Sequence, residues 1–300
     1  MPRKHAAIFL ALSAIWGSSY MFIKLGVNGG FEPFSLVAVR LLLGAVLMAV
    51  IMRRQGLGLP RQRRVITALA ILGFMNNFIP FSLITWGEQF IDSNLAAILN
   101  STTPLFAAVL SHFFLADERL TWRRAAGVAL GFLGVVILFA PDLVVGAGAN
   151  KVLGQAAVVL AAVGYAASTV FGRRRLVGVP APVASTLQLS FAFLWTLGPA
   201  LLVERPWQLQ ITPLAWFSAI WLGLLSTGLA YLLYFTLLHV IGATPTTMVT
   251  YVIPLFAVLF GVVLLDEPLR WSQPLALATI FAGVWLANRR PGRLRTAKIA

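Results

Sequence analysis

Residues 93–138 read SNLAAILNSTTPLFAAVLSHFFLADERLTWRRAAGVALGFLGVVIL, two apolar runs joined by a short charged turn. Residues 243–287 read ATPTTMVTYVIPLFAVLFGVVLLDEPLRWSQPLALATIFAGVWLA, the same plan again. Pro104-Leu105-Phe106-Ala107 returns as Pro254-Leu255-Phe256-Ala257. Glu118, Leu120, Trp122, Gly134 and Val135 return as Glu267, Leu269, Trp271, Gly283 and Val284. The spacing is half of the 300-residue chain. The sequence therefore reads as one unit written twice, over residues 3–140 and 150–290.

The composition says what solvent that unit needs. The chain is 59% apolar and 11% charged, where a soluble domain carries about 25% charged residues. So much apolar surface calls for lipid. Ten runs are long enough to span, at about 20 residues each: 6–27, 34–52, 65–87, 93–114, 121–140, 152–172, 182–203, 213–238, 244–265 and 272–288. Arg3-Lys4 before the first run resembles a signal peptide, but the run is of spanning length and more follow, so it reads as the first helix. The expected fold is an all-α polytopic membrane protein of ten transmembrane helices.

The net charge of +14 does not point to nucleic acid, because the basic residues form short clusters between apolar runs. With the N-terminus inside, 18 of the 23 lysines and arginines fall in cytoplasmic segments. Lys151, Arg205 and Arg270 fall outside, and Lys24 and Arg40 lie within helices. That asymmetry predicts a multi-pass protein of the cell (inner) membrane with both termini cytoplasmic. Five spans per unit make the two copies cross the membrane in opposite directions. Alternating-access carriers are commonly built from inverted repeats of this kind, with the site near the midplane.

Trp16-Gly17-Ser18-Ser19 with Lys24, Arg40, Pro104-Leu105-Phe106 followed by Glu118-Arg119-Leu120 and Gly127, and the echo at Pro254 and Glu267 carry a family resemblance. Over nearly its whole length the chain resembles the drug/metabolite transporter superfamily, EamA branch, and most of all the YddG-like amino-acid exporters. Ala276 stands where the first half has Gly127, a departure at a close-packing position. The resemblance implies ten spans and export of amino acids, aromatic and other neutral ones, or of related metabolites. A broad drug or nucleotide-sugar exporter is the alternative, and an intramembrane enzyme a distant one.

Polar and aromatic residues at helical spacing inside the spans are the binding candidates. They are Trp16 and Tyr20 in span 1, Asn76 and Asn77 in span 3, Asn100 in span 4 and Tyr165 in span 6. Span 8 adds Thr227, Tyr231 and Tyr234, and span 9 adds Thr247 and Tyr251. Serine and threonine in such helices often bond their own backbone, and tyrosine and tryptophan often mark interfaces. A primary amide in mid-span is harder to explain without a partner. Pro80, Pro104 and Pro254 are expected to bend their helices. Lys24 is placed to snorkel outward. Arg40, about 9 Å deep at about 1.5 Å per residue, reads as paired with carbonyls or an outer acid, or as a contact for a substrate carboxylate. Asp117-Glu118 and Asp266-Glu267 read as caps of the helices that follow them.

Missing features narrow the chemistry. There is no cysteine, no P-loop, no GxSxG elbow and no HExxH pair. The sequence calls for no cofactor, no metal and no catalytic residue. The partners it implies are a small-molecule substrate and membrane lipid, with no nucleic acid; a monomer is compatible with it. All nine acids fall at loops or span ends, whereas proton relays use carboxylates within the membrane. His112 and His239 lie near cytoplasmic ends and are the remaining titratable candidates. Transport without a proton partner is the expectation, driven by an outward gradient at about 1.4 kcal/mol per tenfold. In proteoliposomes, an imposed pH step without a substrate gradient should give no net accumulation of an amino acid. Accumulation above the outside level would overturn this.

Overall fold

The computed structural model describes residues 3–115, 121–144, 148–175 and 178–288. The turn holding Asp117 and Glu118 and the side chain of His239 lie outside the described residues. Every regular element among the described residues is helical, as lipid demands of a chain whose amides must find partners within their own segment. The elements are α1 (Arg3–Asn28), α2 (Pro33–Arg54), α3 (Arg63–Leu72, continuing through a π-helical stretch Gly73–Phe78 into Ile79–Gly87), α4a (Ser93–Asn100) and α4b (Thr103–Phe114). They continue with α5 (Trp122–Val144), α6 (Ala149–Arg175) and α7 (Ala181–Pro199, with a π-turn at Ala200–Glu204). α8 runs Pro213–Ile220, π-helical Trp221–Leu229 and Ala230–Ile241; α9 is Ala243–Thr247 and Val249–Leu264; α10 is Ser272–Asn288. Proline opens α2, α4b, α7 and α8, where its missing N–H costs nothing.

Among the described residues, nine helices are long and apolar enough to cross a membrane. The tenth, α10, is apolar but has 17 residues, about 26 Å against a hydrocarbon core of about 30 Å. The bends differ from a simple proline kink. The fourth span breaks at Ser101–Thr102, just before Pro104. The ninth breaks at Met248, while Pro254 lies inside the intact helix Val249–Leu264. In the third span the irregular stretch is the π-helix that ends just before Pro80. The π-stretches of α3 and α8 sit at equivalent places in the two halves, Gly73 against Gly223.

The helices fall into two groups. One is α3, α4 and α6, with α7 on the π-stretch of α3; the other is α8, α9 and α1, with α2 on the π-stretch of α8. α2 and α7 pack on each other, as do α5 and α10. The main apolar core joins both groups, from Tyr20 to Ile23 on α1 and Leu95 to Leu99 on α4a to Ala257 on α9. It fills the end of the bundle that carries Glu88, Glu204 and Glu267, here called the acidic face. Toward the opposite, arginine-rich face one small cluster, Leu12, Ala230, Leu237 and Val249, stays within one group, while another, Val37, Leu41, Ala45, Met48, Phe81, Leu189 and Ala192, joins α2 to α7 and α3. The fourth span divides at its break: α4a packs on α9, α6 and α1, and α4b on α6, α5 and α10.

α5 and α10 meet backbone to backbone. A Cβ on Gly283 would stand 2.6 Å from the Gly127 carbonyl, and one on Gly134 would stand 2.9 Å from the Ala276 carbonyl. Ala276 itself is fully buried, so close packing survives the loss of glycine there. Small residues at such spacing let helices approach in lipid. Gly127→Leu is expected to cost about 1–3 kcal/mol by overpacking, read as a lowered melting temperature of the purified protein. Gly198→Leu, with open space around it, should leave that temperature unchanged.

Candidate functional site

A polar layer crosses the middle of the bundle where the helices are irregular. Asn76 and Asn77 come from the π-stretch of α3, Thr227 from that of α8, and Asn100 from the last turn of α4a. A π-stretch carries an extra residue per turn and turns side chains off the regular helical face, a device frequent at functional sites. The Asn100 amide donates to the Tyr20 hydroxyl at 2.8 Å, and the Asn77 amide donates to the Tyr231 hydroxyl at 3.1 Å. Both bonds link one helix group to the other. Gln188 of α7 donates to Asn77 Oδ1 at 2.5 Å. The Ser168 hydroxyl donates to Asn76 Oδ1 at 2.7 Å.

Arg40 sits inside this layer, 6% exposed. Its Nε donates to Thr227 Oγ1 at 3.0 Å, and its guanidinium carbon lies 3.9 Å from the Phe81 ring centroid, a cation–π arrangement. It interacts electrostatically with Tyr165, Tyr231, Tyr20 and Glu88. Neither a set of carbonyls nor a salt-bridged outer acid surrounds it among the described residues. Asn100 Oδ1 is buried with no hydrogen-bond partner among the described residues.

Four further sequence candidates make contacts beyond these. Trp16 donates to the Ser226 carbonyl at 3.1 Å and packs on Tyr234 with ring centroids 5.7 Å apart, both between α1 and α8. Tyr251 meets Phe281 of α10 edge-on at 5.8 Å, and Thr247 is exposed. A shared helical face told which residues point together, not which neighbour that face meets. Gln188, missed in the sequence, carried the same signal as the asparagines: an amide in an apolar run.

The acidic face is closed by carboxylates. Glu204 accepts from the N–H groups of Phe34 and Ser35 at 2.7 and 2.6 Å, capping α2. Glu267 accepts from those of Ser93 and Asn94 at 2.7 and 3.0 Å, capping α4a. It does not cap the helix that follows it, as the sequence suggested. Asp142 pairs with Arg270 at 2.8 Å and Lys151 at 3.0 Å. Gln273 donates to Asn94 at 3.0 Å. Lys24 does not snorkel. Its ammonium donates to the carbonyls of Glu88 and Ile91 at 2.7 and 2.9 Å, where the C-terminal end of α3 attracts a cation.

Glu88 follows the last residue of α3. The sequence places it at a span edge, yet it is fully buried and neither carboxyl oxygen has a hydrogen-bond partner among the described residues. Burial pushes this carboxyl well above the usual range, against the opposing pull of Lys24 and with a further push from Glu267.

The model of the EamA-like transporter family matches residues 4–140 and again 152–289. The chain belongs to the EamA-like transporter family. Relatives of this EamA-like transporter include YoaV of Bacillus subtilis (strain 168), an uncharacterized transporter, 24% identical over 92% of this chain and 94% of its own. YedA of Escherichia coli (strain K12), an uncharacterized inner membrane transporter, is 27% identical over 93% of this chain and 88% of its own. A probable terminal-alkyne amino-acid exporter of Streptantibioticus cattleyicolor is 28% identical over 99% and 98%. One crystal structure, 22% identical, shares the fold with a TM-score of 0.66 over 96% of this chain and 98% of its own.

Proposed function

We propose that this EamA-like transporter exports amino acids, or closely related small metabolites, by alternating access. The observation that carries the reading is Arg40: a buried cation in mid-bundle, held by Thr227 and Phe81, with no carboxylate paired to it among the described residues. Such a cation is costly in the membrane and marks a substrate path. A substrate carboxylate would supply the counter-charge. Asn100 Oδ1, an orphaned acceptor, and the Tyr20 hydroxyl would receive the substrate ammonium. The rings of Phe81 and Tyr165 would flank the side chain. A single cation in the layer suits one carboxylate better than the phosphates of a nucleotide sugar. One relative's name as an amino-acid exporter points the same way.

In this reading the chain comprises two inverted five-helix repeats, residues 3–140 and 150–290. The arginine-rich face is cytoplasmic and the acidic face is outward in a multi-pass protein of the cell membrane. The two family matches and the paired π-stretches support the repeats. The conformation then has its outer gate shut. The hydrogen bonds Asn100–Tyr20 and Asn77–Tyr231 would exchange for bonds to substrate as the groups rock.

The test is flux from proteoliposomes containing only this protein, against a panel of amino acids. Flux of at least one down its gradient is expected. Arg40→Gln should remove a charge-assisted contact of about 1.5–3 kcal/mol, a loss of ~10- to ~100-fold in apparent affinity, while folding persists. Unchanged affinity would sink the carboxylate contact. Orientation is read separately. The chain is cysteine-free, so Leu269→Cys should react with an impermeant thiol reagent on intact cells, and Gln55→Cys only after lysis. The reverse pattern would invert the topology.

A further inference from the structure

Glu88 has no task in the function proposed above. It lies at the end of α3 where the two helix groups meet, and it is fully buried. A carboxylate at such a position usually caps a helix or pairs with a cation, as Glu204 and Glu267 do. Glu88 does neither: both its oxygens are without partners among the described residues. The nearby cation is already engaged, since Lys24 spends its ammonium on the Glu88 and Ile91 carbonyls. The charged and titratable groups that face Glu88 are Lys24 and Tyr20 from α1, Arg40 from α2 and Glu267 from the α9–α10 connection. Glu267 carries a negative charge held by two backbone donors, so a second buried anion beside it is unfavourable.

A buried carboxyl without hydrogen bonds is far cheaper neutral than charged. We propose that Glu88 is a proton-binding latch on the outer gate. With its proton, the carboxyl stays buried and the gate is shut. Without it, the carboxylate draws water between α3, α1 and the α9–α10 connection, and the gate opens. The proton comes from the outer solution and returns there, because Glu88 lies at the outer face and has no exposed surface while the gate is shut. The latch therefore regulates transport without driving it, in keeping with the expectation that a pH step alone moves no substrate. Its electrostatic contact with Arg40 gives it a second input, since a bound substrate carboxylate would cancel the charge that favours ionised Glu88.

The sign follows from linkage. The carboxyl affinity for a proton is higher in the shut state than in the open, hydrated one. Shutting is thus favoured in full below the open-state pKa, near the ordinary glutamate value of about 4.3. That advantage is lost as pH rises through the raised shut-state value.

This rests on the outward placement of the acidic face, and the experiment separates the two. Ala97 on α4a, buried in the gate core at 1% exposure, is changed to cysteine in the full chain. Labelling by an impermeant thiol reagent is followed without substrate from about pH 5.5 to about pH 8.5, across the range where a raised carboxyl titrates. Leu269→Cys, exposed on the same face, corrects for thiol ionisation and shows from which side the reagent must be applied. The expected result is a severalfold rise in Ala97→Cys labelling with pH, relative to the Leu269→Cys reporter. With Glu88→Gln added, labelling should be low and flat. If Glu88→Gln does not fold, Lys24→Met serves: removing the ammonium should move the midpoint to higher pH. A flat profile in the parent, a pH dependence that survives Glu88→Gln, or a downward shift with Lys24→Met would each overturn the latch.

Discussion

A helix that begins within or beside a low-dielectric slab has amides with nothing to bond. In this protein that problem is met from the other half of the chain. The first amides of α2 and α4a, in the first half, are held by Glu204 and Glu267 of the second. Charge-assisted bonds to backbone N–H are about twice as strong as neutral ones, and each carboxylate is favoured by the positive helix end it faces. The joining of the two helix groups at the acidic face depends on these caps. The Asp142–Arg270 pair and the Gln273–Asn94 bond add to the same seam. Away from the acidic face one apolar cluster stays within a group and another joins α2 to α7 and α3, so the polar clamp made by these caps belongs to the acidic end.

The irregular backbone follows the same logic. Hydrogen-bonded helix is obligatory where lipid touches the chain, and departures are tolerated where protein covers them. The π-stretches of α3 and α8 lie under α7 and α2, respectively, and the break of the fourth span lies between buried neighbours, with Thr103 returning a bond to the Asn100 carbonyl at 2.8 Å. These departures present Asn76, Asn77, Thr227 and Asn100 to one another's level. The polar layer and the backbone irregularity are therefore one feature: the chain leaves regular helix where it turns amides and hydroxyls inward.

Most of the helical plan was legible in the sequence because length and apolarity decide a span without reference to any neighbour. The amides were legible for a similar reason: Asn77 and Asn100 are conspicuous in apolar runs wherever they point. What the sequence could not show was partnership. Arg40 stood out at once, but Thr227, which holds it, lies 187 residues away. Tyr251 and Trp16 shared faces with layer residues, and the neighbours those faces meet, Phe281 and the Ser226 carbonyl among them, could not be read from spacing. Glu88 is the sharpest case. Its place at a span edge predicts contact with water, yet it is buried, with Lys24 of α1 and Glu267 of the distant α9–α10 connection among its charged neighbours.

The seam between α5 and α10 sets a mechanical boundary condition. Gly127 and Gly283 bring main chain against main chain and Gly134 takes the Ile280 side chain beside the Ala276 carbonyl, so little side chain lies between the two helices. Two rods in such contact resist separation but turn about their line of touch with little change in buried surface. They also belong to opposite halves of the chain. In the proposed cycle such a seam would serve as a fulcrum, about which the two helix groups could tilt while the distance between α5 and α10 stays constant. A bulky residue at Gly127 would move that fulcrum outward, and with it the reach of every displacement measured at Arg40.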